Sequence, residues 1–138
     1  MGGESRESAK KMIRVLIIDD DRHMRAVCLR VLTREGWIVH CAENGDEGIG
    51  KIKNGREQFD VVLLDQLMPG MSGMDVLAQI RIMAPDMPVV IITGSATEAS
   101  AAEIIRMGAS DCLPKPFTPD ELRNVVRRAA TNAAAKPE

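Results

Sequence analysis

Five short apolar runs recur along the sequence: Ile13 to Ile18, Trp37 to Cys41, Val61 to Leu64, Val89 to Ile92, and a weaker one from Asp111 to Leu113. They are rich in Val and Ile and do not alternate with polar residues, the pattern of strands covered on both faces. The segments between them carry helical periodicity. Met24, Val27, Cys28, Val31 and Leu32 form one apolar stripe at i, i+3, i+4, i+7 and i+8, with Gly36 placed to end the helix in a left-handed cap. Asn44 can cap a second helix, with Glu47 reaching back and Gly55 closing it. A third helix is expected from Gly73 to Met83, where Pro85 and Pro88 prevent much extension. A fourth is expected from Thr97 to Met107, stopping at Gly108. Thr118-Pro119-Asp120-Glu121 is a capping box with proline at the first helical position, so a fifth helix should run to about Ala130.

Strand and helix alternating five times predict a doubly wound α/β domain, a five-stranded parallel sheet with helices on both faces and right-handed crossovers. In such sheets the functional crevice lies beyond the carboxyl ends of the strands, where the strand order reverses. The residues just after each apolar run are therefore the informative ones. They are Asp19 and Asp20 after the first strand, Asp65 after the third, Thr93 and Ser95 after the fourth, and Lys115 after the fifth. With strand order 2-1-3-4-5, the first and third strands are neighbours and three carboxylates converge. Their mutual repulsion is costly unless a cation or a proton offsets it. An oxygen-only ligand set with no calcium-loop spacing points to magnesium, which is held by a few carboxylates together with waters and phosphate oxygens. Asp21, beside the first helix, reads as a helix cap.

The run Ile17-Ile18-Asp19-Asp20, then Leu63-Leu64-Asp65 followed by Met68-Pro69-Gly70-Met71-Ser72-Gly73, then Ile92-Thr93-Gly94-Ser95, then Lys115-Pro116-Phe117, resembles the receiver domain of bacterial two-component response regulators. The resemblance covers about residues 12 to 130, with four motifs in the right order, and implies a flavodoxin-like sheet. It implies that Asp65 is the phospho-acceptor, and that Asp19, Asp20, Asp65 and the backbone carbonyl of Leu67 bind Mg2+. It further implies that Thr93 and Lys115 contact the phosphoryl group and that the Lys115-Pro116 peptide is cis. The partners implied are a sensor histidine kinase or phosphotransfer protein upstream and an effector protein or output domain downstream, with phosphorylation-dependent dimerisation an open question. The resulting function is a phosphorylation switch that catalyses only its own phosphotransfer and dephosphorylation.

Two positions depart from the family pattern. Cys112 stands where many receivers carry an aromatic residue that swings inward as the threonine moves, so the switch region of Thr93 and Cys112 lacks that lever. Leu67 and Ser95 occupy positions that tune hydrolysis, and apolar Leu67 cannot orient water, so slow loss of the phosphoryl group is expected. Met68, Met71 and Met74 read as packing, His23 and His40 as structural residues. A competing reading is a magnesium-dependent phosphatase of the haloacid-dehalogenase type. Its Asp-x-Asp-x-Thr/Val motif would need Thr or Val where His23 stands. A flavin or nucleotide site is disfavoured because three aspartates, and no glycine-rich loop, follow the first strand.

Composition removes other classes. No apolar run approaches the roughly 18 to 20 residues of a membrane span. Two Phe, one Trp and no Tyr, at a net charge of −2, leave little for binding nucleic acid. Each end of the chain is basic and the body acidic. Three cysteines without metal or disulfide spacing, and no apolar leader at the start, lead to the expectation of a cytoplasmic protein. The expected layout is a disordered segment over 1–11, the receiver domain over 12–130, and a tail or linker stub over 131–138. Whether the sequence is a stand-alone regulator or part of a longer one stays open.

Overall fold

The computed structural model describes residues 12–55, 58–94 and 98–135. In chain order the elements are β1 (Arg14–Ile18), α1 (Arg22–Thr33), β2 (Ile38–Ala42), α2 (Gly45–Asn54), β3 (Val61–Asp65), α3 (Gly73–Met83), β4 (Val89–Thr93), α4 (Glu98–Arg106), β5 (Asp111–Pro114) and α5 (Pro119–Ala135). All five strands are parallel, in the order β2-β1-β3-β4-β5. The doubly wound topology expected from the alternation of apolar runs and helical stripes is the one observed.

Side-chain alternation along each strand divides the core in two. Val15, Ile17, Val61, Leu63, Val90 and Ile92 face α1 and α5, meeting Cys28, Leu32, Leu122 and Val126. Leu16, Ile18, Val62, Leu64, Val89 and Ile91 face the other way, onto Ile49 of α2, Val76, Leu77 and Ile80 of α3, and Ile104 of α4. Every residue of β3 and β4 is buried, which explains their unbroken hydrophobic character. At roughly 1.5–3 kcal/mol for each fully buried aliphatic side chain, these two layers dominate the driving force for folding.

The helix ends follow the local chemistry with two differences. Asp21 caps α1, accepting from the His23 and Met24 amides, and Asn44 caps α2, accepting from Glu47 N. Gly55 ends α2 at φ 74°, and the Ser72 and Thr118 boxes open α3 and α5. Gly36 has the expected positive φ of 85°, but α1 already ends at Thr33 with Arg34 right-handed at its cap. Successive short turns, from Glu35 N to Leu32 O and Gly36 N to Thr33 O, carry the chain between the two points. Helix α5 runs to Ala135, past the expected end near Ala130, because its alanines have the highest helix propensity. The Lys115-Pro116 peptide is cis. Ser95 and Thr97, expected in the phosphoryl-tuning loop and at the start of the fourth helix, lie outside the described residues, as does the segment 1–11.

Candidate functional site

Register brings the site together. Ile18 pairs with Leu64, Asp65 with Ile92 and Thr93 with Pro114, so the carboxyl ends of β1, β3, β4 and β5 finish at one level. Asp19 follows β1 directly, and its amide extends the ladder by donating to Ala42 O at 3.1 Å. Asp65 is the last residue of β3, Thr93 the last of β4, and Lys115 follows β5. Carboxylate oxygens of Asp19, Asp20 and Asp65 lie within 4.8 Å of one another. Lys115 Nζ is 3.5 Å from Asp65 Oδ1, and the Lys115 amide donates to Thr93 O at 2.7 Å.

Burial makes this arrangement electrostatically demanding. Asp19 is 1% exposed and Asp65 is also buried, whereas Asp20 is open to solvent. Burial, with added repulsion from Asp65 and Asp20, pushes the Asp19 carboxyl up to about 6; the Asp21 amide at 2.9 Å and the Lys115 charge pull the other way. Asp65 is raised for the same first reason, desolvation. Its opposing influences are the Lys115 ammonium and the Leu67 N–H, which donates to its carboxylate. Asp19 Oδ2 is buried without a hydrogen-bond partner among the described residues. An orphaned anionic oxygen, two further carboxylates within reach and an all-oxygen donor set suit a hard divalent cation such as magnesium. Thr93 Oγ1 is likewise fully buried and unpartnered among the described residues, so its hydroxyl is available to an oxygen anion entering the crevice.

Leu67 is 71% exposed at the rim. Cys112 is half-buried on β5 and packs against the cluster containing Ile91 and Ile104. Burial and the neighbouring Asp111 raise its thiol, which disfavours a reactive thiolate. Met68, Met71 and Met74 pack into or against the same cluster, as expected. His40 meets Phe59 edge-on at 5.6 Å, and His23 is exposed on α1.

Two residues at the site have roles not assigned from the sequence. Arg25, on α1, donates from Nη1 to Asp19 O at 2.8 Å. Gly73, at the start of α3, lies so close to the β3 end that a Cβ there would come within 2.2 Å of Asp65 O. Gly73 closes the Met68 to Gly73 motif, but its close approach to the β3 end shows only in the fold, and an arginine on a polar helix face is commonplace.

Among the described residues no helix is long and apolar enough to cross a membrane. A profile of the response regulator receiver domain matches residues 15–127. The response regulator MprA of Mycobacterium sp. (strain KMS) is 35% identical over 122 residues, spanning 86% of this chain and 52% of MprA. The chain thus covers about half the length of this relative. Among solved structures, a response regulator receiver domain protein from Clostridium thermocellum superposes with a TM-score of 0.83 at 30% identity, covering 89% of this chain and 98% of that one. NtrX from Brucella abortus, crystallised with ADP, gives a TM-score of 0.83 at 29% identity, covering 90% of this chain and 28% of NtrX. None of these comparisons supports the phosphatase alternative. With its acidic crevice, its sheet order and this match over most of its length, the chain belongs to the response regulator receiver domain family.

Proposed function

We propose that Asp65 is the phospho-acceptor of this receiver. The observation that carries the reading is the convergence of Asp19, Asp20 and Asp65 with the Lys115 ammonium and the buried Thr93 hydroxyl at the ends of adjacent strands. The donor is a phosphohistidine on a sensor kinase or phosphotransfer protein. An Asp65 carboxylate oxygen attacks phosphorus, the O–P bond forms as the P–N bond breaks, and the imidazole leaves with a proton. Such transfers pass through a loose, in-line transition state, so catalysis rests on positioning and charge neutralisation.

Each residue has a part. Lys115, a mobile point charge, exchanges its contact with Asp65 for the transferred phosphoryl oxygens. Thr93 donates its hydroxyl to the same group. Asp19, Asp20, Asp65 and the Leu67 carbonyl would hold magnesium, which when bound supplies positive charge to the phosphoryl oxygens. Movement of Thr93 toward the phosphoryl group shifts the protein between two populations, one of which an effector protein or attached output domain prefers. Cys112 borders the segment that moves. This switch operates in the cytoplasm, and its phosphorylated form has the option of dimerising.

Incubation with magnesium and acetyl phosphate or phosphoramidate, followed by intact-mass measurement, tests the acceptor. The wild type should gain one phosphoryl group and Asp65→Asn none. Equal uptake by both would remove Asp65 from the role.

A further inference from the structure

Asp19 is fixed at three points. Its amide donates to Ala42 O at 3.1 Å, its Oδ1 accepts from Asp21 N at 2.9 Å, and its carbonyl accepts from Arg25 Nη1 at 2.8 Å. Among the described residues Oδ2 alone is left without a partner, in the acidic crevice. Two of these anchors come from outside the loop, Ala42 from the backbone of β2 and Arg25 as a side chain. The Arg25 amide donates to Asp21 O at 3.0 Å as the first turn of α1 closes, and its side chain then folds back to Asp19. The loop 19–21 is thereby gripped by the main chain and the guanidinium of one residue.

The side chain is only 16% exposed, and its second nitrogen, Nη2, lies 4.0 Å from Glu43 Oε2, just beyond the end of β2. A guanidinium spreads its donors over a rigid planar fork, so it can reach two separated acceptors in a fixed geometry that the compact ammonium of lysine does not hold. The β1 and β2 ends are tied through it. Glu43 is itself 72% exposed, so the contact with the Asp19 carbonyl is the stronger of the two.

We infer that Arg25 is a positioning residue for the acidic pocket, holding the loop so that Asp19 and Asp20 present their carboxylates to a divalent cation without prior reorganisation. This inference rests on the proposed magnesium site. Partners that orient ligands from behind are worth about 10- to 100-fold in metal affinity when lost. The guanidinium acts through the backbone of Asp19 and touches neither the phosphoryl group nor the reacting carboxylate.

The test is magnesium titration of the wild type, Arg25→Met, Arg25→Gln and Arg25→Lys by calorimetry, with amide NMR of residues 19 to 21 and melting temperatures alongside. Arg25→Met should bind magnesium at least about tenfold more weakly, with Arg25→Lys in between, while all variants remain folded at the titration temperature. The amide shifts of residues 19 to 21 should move in the metal-free variant. If Arg25→Met does not fold, Arg25→Gln decides in its place, with the same expected loss. An affinity within about twofold of wild type in the deciding variant would overturn the role of Arg25 while leaving the metal site standing. Absence of magnesium binding by the wild type would overturn both.

Discussion

Replacing Asp19 with asparagine should make the metal-free protein more stable, although it removes a residue of the proposed site. Asp19 is buried, and its carboxyl is displaced from 3.8 to about 6, first by desolvation and then by Asp65 and Asp20. Between those two values the folded protein keeps a proton that the unfolded chain has released. Stability contributed by this group therefore falls as pH rises from about 4 to about 6, and above that the folded state carries the full cost of the buried charge. That cost is about 3 kcal/mol at pH 7. Asparagine preserves the acceptor that takes the Asp21 amide and replaces the orphaned oxygen with a donor facing Asp65. Urea unfolding in EDTA should give Asp19→Asn an advantage of about 2–3 kcal/mol at pH 7, shrinking toward zero near pH 4. Excess magnesium should close the gap at pH 7, because a cation held at the proposed site would stabilise the folded wild type by mass action. An Asp19→Asn protein no more stable than wild type at pH 7, or an advantage that does not vary with pH, would refute the reasoning.

Two further outcomes follow from the site. Gly73→Ala forces a Cβ against Asp65 O, so the backbone that carries the proposed acceptor must shift; a cost of about 1–3 kcal/mol in unfolding is expected. Phosphorylation by acetyl phosphate should slow by about tenfold to a hundredfold, since a misplacement of about 1 Å has that effect. Unchanged phosphorylation kinetics would mean that Gly73 is only a packing residue. Leu67→Asn places an amide on the exposed rim and should shorten the lifetime of the phosphorylated protein several-fold, followed as loss of the added mass. A wild-type phosphoprotein that already decays within seconds would count against Leu67 as a brake.

The sequence alone determined the elements and the chemistry at their ends. Apolar runs, helical stripes and capping residues such as Asp21, Asn44 and Thr118 act over a few residues, so their consequences can be read locally. The same holds for Asp19, Asp20, Asp65, Thr93 and Lys115, whose interest comes from following a strand. Tertiary structure decided what those groups feel. That Asp19 is buried and Asp20 exposed, one residue apart, depends on which of the two side chains the assembled crevice encloses. Gly48 lowers helix propensity in α2, yet a Cβ there would meet Ile18 Cδ1 at 2.3 Å, so close helix-to-sheet approach is what the position requires. Gly73 against Asp65 and Arg25 against Asp19 are of the same kind. Burial, close approach and a side chain folding back on a distant carbonyl depend on which surfaces meet, and no pattern within a single segment encodes that.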